Sequence, residues 1–245
     1  MAAGYARARP AVHPHVISRV MSHLQINVPV NRALDVGCGA GLSTRELVAV
    51  AQRSFGIDPV GAMVQQAGIV APNAFCAVGV AEFLPFASDS MNLITAAGSL
   101  NYADLTRFFP EALRVLKPGG VLVVYDFSQG RSFRNGPSLS VWFDQFKTRY
   151  PSPTNSGRSL DPATLEAEAI AFHSLGSEQF QVGLMMDQRR YVDYIMTETN
   201  VANAIRSGAT SESINKWCRT SLDAVFSGEQ KEVLFNGYIA YLQKP

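Results

Sequence analysis

Residues 34–43, Leu-Asp-Val-Gly-Cys-Gly-Ala-Gly-Leu-Ser, set three glycines between an apolar run and a helical one. Glycine belongs where a ligand must come close to the backbone or where a turn needs positive φ. A loop of this kind holds a nucleotide-like cofactor, and the acids around it say which kind. Asp35 lies inside the apolar run, just ahead of Gly37, Cys38, Gly39 and Gly41. A carboxylate there repels a pyrophosphate and suits a cationic cofactor without phosphate, such as a sulfonium nucleoside. Asp58, which follows Phe55-Gly56-Ile57, stands where it can accept hydrogen bonds from ribose hydroxyls.

Further residues could handle a second substrate. Asn101 and Tyr102 follow the fourth apolar run and Asp126 follows the fifth, so all three are expected at the edge where ligands bind and are candidates to orient it. The four histidines are His13, His15, His23 and His173; the first two sit in the entry segment and could approach the reacting centre. Trp142, Phe146 and Tyr194, with Arg190, are expected to line an acceptor pocket, the arginine clamping an acidic group. Cys38, Cys76 and Cys218 are too few and too far apart for a disulfide framework or a metal site, which points to a reducing compartment, the cytoplasm, and to no bound metal.

The elements that must position these residues follow from periodicity. Helices are expected over 14–24, 42–51, 60–67 and 105–116, alternating with strands over 33–37, 55–57, 75–80, 93–97 and 121–125. Such alternation makes a parallel sheet covered on both faces. Residues 128–160 are rich in Gly, Ser, Pro, Arg and aromatics and break the pattern, as a lid inserted over the strand ends would, with 186–225 as a further part of the cap. Asp161-Pro162 marks a helix start, carried to 172. A strand over 180–185, helices over 191–204 and 211–221 and a closing strand over 232–242 complete a single domain spanning 1–245.

Composition narrows the function. The 245 residues hold 21 Lys plus Arg against 20 Asp plus Glu, a net charge of +1, so no strong field exists to draw nucleic acid or anionic lipid. No apolar run approaches the ~18 residues that cross a membrane. The first 34 residues carry Arg7, Arg9, Arg19 and Arg32 and no acid, a composition shared by organelle-targeting segments and by an ordinary leading helix.

Taken in order, these segments resemble the class I S-adenosylmethionine-dependent methyltransferases, especially the small-molecule group that includes trans-aconitate methyltransferase-like proteins. The resemblance rests on 33–41, on Gly56-Ile57-Asp58-Pro59, on Gly79-Val80-Ala81-Glu82-Phe83-Leu84-Pro85, on 94–102 and on 113–120, and it is loose beyond Phe127. It implies a Rossmann-like, doubly wound, mostly parallel seven-stranded α/β sheet with helices on both faces and a helical lid after strand five. It further implies S-adenosylmethionine as cofactor, leaving as S-adenosylhomocysteine, and a small-molecule acceptor, in a monomer or homodimer. Met63 would lie by the adenine, the Ala81 N–H and Glu82 would read its edge, and Pro59 and Ala97 would be further cofactor-binding residues. Tyr5, Arg9, Pro10 and Pro14 resemble the family's opening pattern, in which the arginine meets the cofactor carboxylate and the tyrosine covers the methionine portion. Many relatives carry a His-aromatic pair where this chain has Asn101-Tyr102, so that histidine base is absent. A non-catalytic binder of the same cofactor shares all these motifs. A nicotinamide-dependent oxidoreductase shares only the glycine loop and is opposed by Asp35 and Ala81-Glu82.

Overall fold

The computed structural model describes residues 2–136, 138–154 and 157–245; positions 137, 155 and 156 of the expected lid lie outside the described residues. Five strands run parallel in the order β3-β2-β1-β4-β5: β1 (Val30–Val36), β2 (Ala51–Asp58), β3 (Phe75–Val78), β4 (Met91–Ala97) and β5 (Leu116–Phe127). Three more complete the sheet: β6 (Ser132–Phe133), β7 (His173–Met186) and β8 (Lys231–Gln243). β8 lies antiparallel beside β5, β7 pairs antiparallel along β8, and the two residues of β6 pair with Val233 and Leu234 at the start of β8. The sheet therefore has eight strands, not seven, the addition being the short β6.

Successive residues of a strand face opposite sides, and the central strands supply apolar side chains to both. Ala33, Leu93, Val121, Val123 and Tyr125 enter one core, and Leu34, Val36, Ile94, Leu122 and Val124 the other. The second core is closed by α5 (Leu105–Val115), whose Leu105, Phe108, Phe109, Ala112 and Val115 form one buried stripe. It is also met by α7 (Pro162–Glu168), opened by Asp161 accepting from the Thr164 N–H at 2.7 Å, as the Asp-Pro pair implied. The first core is covered by α2 (His13–His23), α3 (Leu42–Leu47) and a helical cap made of α6 (Ser138–Arg149), α8 (Gln188–Ile195), α9 (Thr199–Arg206) and α10 (Ser211–Phe226). Two helices border the glycine loop: α4 (Gly61–Val70) follows Asp58, and α1 (Ala2–Ala8) reaches from α4 to α8.

Several boundaries differ from expectation for identifiable reasons. The helix expected over 42–51 stops at Leu47, because the Val30 N–H bonds the Val50 carbonyl and Ala51 pairs with Val30, so β2 begins there. β5 starts ahead of the Gly119-Gly120 pair, since a register shift between Met91 and Leu93 lets Leu116 pair with Met91. The helix opened by Asp161 ends at Glu168, and β7 begins at His173, well before 180. The single helix expected over 191–204 is two, α8 and α9, broken where Glu198 turns inward. Among the described residues no helix is long and apolar enough to cross a membrane.

Candidate active site

β1 delivers the chain to its carboxyl edge at Val36, where the glycine loop folds across β2: the Gly37 and Cys38 N–H groups both donate to the Ile57 carbonyl, at 2.8 and 2.9 Å. Gly37 has φ +71°, and a Cβ there would stand 2.2 Å from the Ser99 Cβ, so no other residue fits. Gly39, at φ +51°, is different: a Cβ there would meet nothing within 4 Å, because its missing side chain faces open space above the loop.

Asp35 does not reach that space. It is 0 % exposed, with one oxygen accepting from Ser43 Oγ at 2.5 Å and Thr44 Oγ1 at 2.7 Å and the other from Thr95 Oγ1 at 3.0 Å. Burial pushes its pKa up and the three hydroxyls oppose that shift. The expected direct contact with a cationic cofactor is thereby corrected: Asp35 ties the start of α3 and the middle of β4 to β1, and so holds the loop in place. Asp58, half-buried at the end of β2, lies at the crevice. Its Oδ2 accepts from the Gly39 N–H at 3.0 Å and its Oδ1 from the Val60 N–H at 2.9 Å. Each oxygen keeps acceptor capacity for a further donor.

The remaining expected cofactor residues surround these two. Pro59 is exposed beside Asp58, and Met63 is half-buried in the first turn of α4. Ala81 and Glu82 are half-buried in the turn leading from β3, where Glu82 Oε1 accepts from the Asp104 N–H at 2.8 Å. Ala97 ends β4 and is half-buried. Cys38 packs over Gly56, its Sγ 3.0 Å from where a Gly56 Cβ would sit, and its thiol donates to the Gly39 carbonyl at 3.8 Å. The neighbouring Cys76 thiol and burial push the Cys38 thiol up.

From the other side the N-terminal segment closes in. Arg9 Nη1 meets Glu198 Oε1 at 2.7 Å, and its Cζ lies 4.9 Å from the Tyr5 ring centroid and 5.3 Å from that of Tyr194. The Arg9 charge, expected to await a cofactor carboxylate, is already answered by Glu198, whose side chain is only 6 % exposed. Glu198 left no mark in the sequence. His13 Nδ1 lies 2.8 Å from the Tyr125 hydroxyl, and burial, helped by Arg9 and Arg45, drives its pKa down to about 3.

Between the ends of β4 and β5 and the β7–β8 edge opens a cavity of about 680 Å³. Asn101, Tyr102 and Asp126 line it, as expected, together with Tyr5, Arg9 and Gly98. Asp126 Oδ2 accepts from Asn101 Nδ2 at 2.9 Å and Oδ1 from the Phe127 N–H at 2.8 Å. The cavity is also lined by the polar Ser128, Gln129, Arg131, Gln179, Asn236 and Glu198. None of the four expected acceptor-binding residues lines this space. Trp142 and Phe146 are 2 % and 0 % exposed and stack at 5.4 Å inside the cap core, where the Trp142 Nε1–H donates to Ser221 Oγ at 2.8 Å. Tyr194 is buried beneath Arg9. Arg190 is exposed on α8, where its backbone N–H is capped by Asp187. The physical reason is common to the aromatics: helices added beside a sheet need their own core, and rings fill it.

A doubly wound sheet with a glycine loop after β1, an acid ending β2 and a capped cavity past β4 and β5 defines an α/β nucleotide-binding enzyme fold. Comparison with known proteins makes the class specific. Residues 34–124 match the methyltransferase domain family. An uncharacterised methyltransferase of Mycobacterium tuberculosis is 30% identical over 118 residues, 48% of this chain and 46% of its own length; the chain spans about half the length of the curated relatives it matches first. Among solved structures, a protein of Anaeromyxobacter dehalogenans assigned to the type II methyltransferases superposes with a TM-score of 0.69 at 20% identity, covering 92% of this chain and 94% of that one. Geranyl diphosphate C-methyltransferase of Streptomyces coelicolor, solved with Mg2+, geranyl diphosphate and S-adenosylhomocysteine, gives 0.53 at 18% identity over 94% and 77%. Residues 34–124 thus carry a methyltransferase domain, on a fold shared with solved methyltransferases.

Proposed function

We propose that this chain transfers a methyl group from S-adenosylmethionine to a small-molecule acceptor held in the 680 Å³ cavity. The observation that carries this reading is the pairing of Gly39, whose missing side chain opens onto free space, with the Asp58 carboxylate beside it. That crevice suits an uncharged ribose, because the Asp58 carboxylate beside Gly39 would repel a pyrophosphate. Asp58 would accept the ribose hydroxyls, Met63 and Pro59 would flank the adenine, and the Ala81 N–H and Glu82 would face its polar edge. Tyr5 and the Arg9–Glu198 pair would border the amino acid end.

When bound, S-adenosylmethionine supplies a methyl group already activated by a positive sulfur. What remains for the protein is alignment and exclusion of water, and orientation alone can contribute about 7–11 kcal/mol. Asn101, Tyr102 and Asp126 stand where they can orient an acceptor over the crevice. His13 is uncharged at neutral pH, with a single ring N–H, and its Nδ1 is hydrogen-bonded to the Tyr125 hydroxyl, so it acts as a neutral hydrogen-bonding group.

Calorimetric titration tests the reading: S-adenosylhomocysteine is expected to bind one site per chain and NADH not to bind. Labelled methyl donor mixed with cell extract is then expected to yield a labelled small molecule. Binding of NADH in preference to S-adenosylhomocysteine would overturn the cofactor assignment, and binding without transfer to any extract component would make the chain a binder that does no chemistry.

A further inference from the structure

The cavity holds two charges that the fold itself leaves unanswered. Of its two arginines, Arg9 is matched by Glu198 at 2.7 Å. Arg131, on the loop between β5 and β6, pairs with no carboxylate among the described residues. Its guanidinium bonds only the neutral Gln129 amide oxygen and lies 4.9 Å over the Phe143 ring. Asp126, which lines the same cavity, is held by two neutral donors, Asn101 Nδ2 and its neighbouring backbone N–H, and meets no cation among the described residues. A guanidinium and a carboxylate facing one concave space are each stabilised by a ligand of opposite charge that displaces water from them.

The lining is largely polar, with Gln179 and Asn236 from β7 and β8, beside the rings of Tyr5, Tyr102, Phe127 and Tyr238 and one aliphatic side chain, Leu160. A prenyl chain or quinone ring would need mostly apolar walls. A compact zwitterion matches both charges at once.

We propose that the acceptor is a compact amino acid, its carboxylate held by Arg131 and its amine by Asp126. This rests on the methyltransferase reading above. Asp126 lies next to Gly98, where a Cβ would come within 3.0 Å of its Oδ1, so the amine is held at the strand ends that border the glycine loop. In the transfer, the bound ammonium first gives one proton to Asp126; the neutral amine nitrogen then forms the new C–N bond as the C–S bond breaks, the bonding pair stays on sulfur, and the methylated nitrogen remains an ammonium.

The test is calorimetric titration of the protein saturated with S-adenosylhomocysteine against each standard amino acid, against lactate and malate, and against geraniol. At least one amino acid is expected to bind. Arg131→Gln and Asp126→Asn should each weaken it by about tenfold or more, the scale of one lost charge-assisted contact, with S-adenosylhomocysteine affinity kept. The proposal is overturned if no amino acid binds, if the hydroxy acid binds as well as its amino counterpart, if geraniol binds in their place, or if Arg131→Gln changes nothing. Failure of S-adenosylhomocysteine to bind sinks the cofactor reading separately; an amino acid that still binds, and is lost in Arg131→Gln, upholds the cavity assignment on its own.

Discussion

The crevice at the glycine loop and the cavity beyond it are built from different materials. Around the crevice the decisive atoms are backbone: the Gly37, Cys38 and Gly39 amides, bonded to the Ile57 carbonyl and the Asp58 carboxylate, on a turn whose glycines hold positive φ. Around the cavity they are side chains from distant segments, with Arg9, Asn101, Asp126, Arg131, Glu198 and Asn236 meeting only in three dimensions. A backbone-built site is constrained residue by residue, whereas a side-chain-built site asks only that the fold bring its members together. The first should fail abruptly under small local changes and the second should lose ligand affinity without losing the fold.

The sharpest break should come from Gly37→Ala. Its methyl group would overlap Ser99 while the residue is held at φ +71°, so strain and clash add, at roughly 2 kcal/mol or more. Calorimetry is expected to show no measurable S-adenosylhomocysteine binding, with a lowered unfolding temperature. Parent-like affinity would mean the loop does not cross β2 as described. Trp142→Ala tests the other side of the contrast. As a core residue 2 % exposed, Trp142 should cost about 3–5 kcal/mol on truncation, with cofactor affinity unchanged in the protein that remains folded. Parent-like stability in urea with acceptor turnover abolished would return it to the role of pocket wall.

The same contrast explains what could be read from the chain before its structure. The glycine loop, the acid at Asp58 and the alternation of strands with α4 and α5 were legible because each is a local pattern with its own steric or periodic cause. Asp35 was located correctly but given the wrong partner: its hydroxyl ligands Ser43, Thr44 and Thr95 come from α3 and β4, and Thr95 lies far off in sequence. In the cap, Trp142 and Phe146 suggested a pocket because aromatic rings serve pockets and cores alike, and burial separates the two only once α10 supplies Ser221 and Trp217. Glu198 and Arg131 had no periodicity to betray them. An inward-turning acid at the break between α8 and α9 looks, in sequence, like any helix-start glutamate.

Protonation of His13 should make its corner of the site acid-sensitive. The imidazole titrates near 6.5 when unfolded and is held to about 3 in the fold, so above 6.5 both states are neutral and it has no effect on stability. As pH falls below 6.5 the unfolded chain takes up a proton that the folded chain refuses. Stability then drops by up to ~1.4 kcal/mol per pH unit until about pH 3. His13→Gln, which can still bond the Tyr125 hydroxyl, should flatten this part of the stability curve between pH 6.5 and 4 in urea titrations. Identical slopes in parent and variant would show that the imidazole is open to water.

The smallest effect on the fold is expected at Asp58, and comparison with Asp35 shows why. Both are acids on neighbouring strands, but Asp35 is sealed among three hydroxyls and Asp58 is half-buried at the crevice, with acceptor capacity to spare. Asp35→Ala would strand Ser43, Thr44 and Thr95 without an acceptor in the interior and should act first on stability, by roughly 2–3 kcal/mol. In Asp58→Ala the freed Gly39 and Val60 amides can turn to water at the open crevice, so stability should fall by about 1 kcal/mol or less. S-adenosylhomocysteine affinity should nonetheless drop by about tenfold or more, because the ribose hydroxyls lose a charged acceptor. If the two variants exchanged profiles, with Asp35→Ala binding poorly yet folding well and Asp58→Ala the reverse, the division between a scaffold acid and a ligand acid would be inverted.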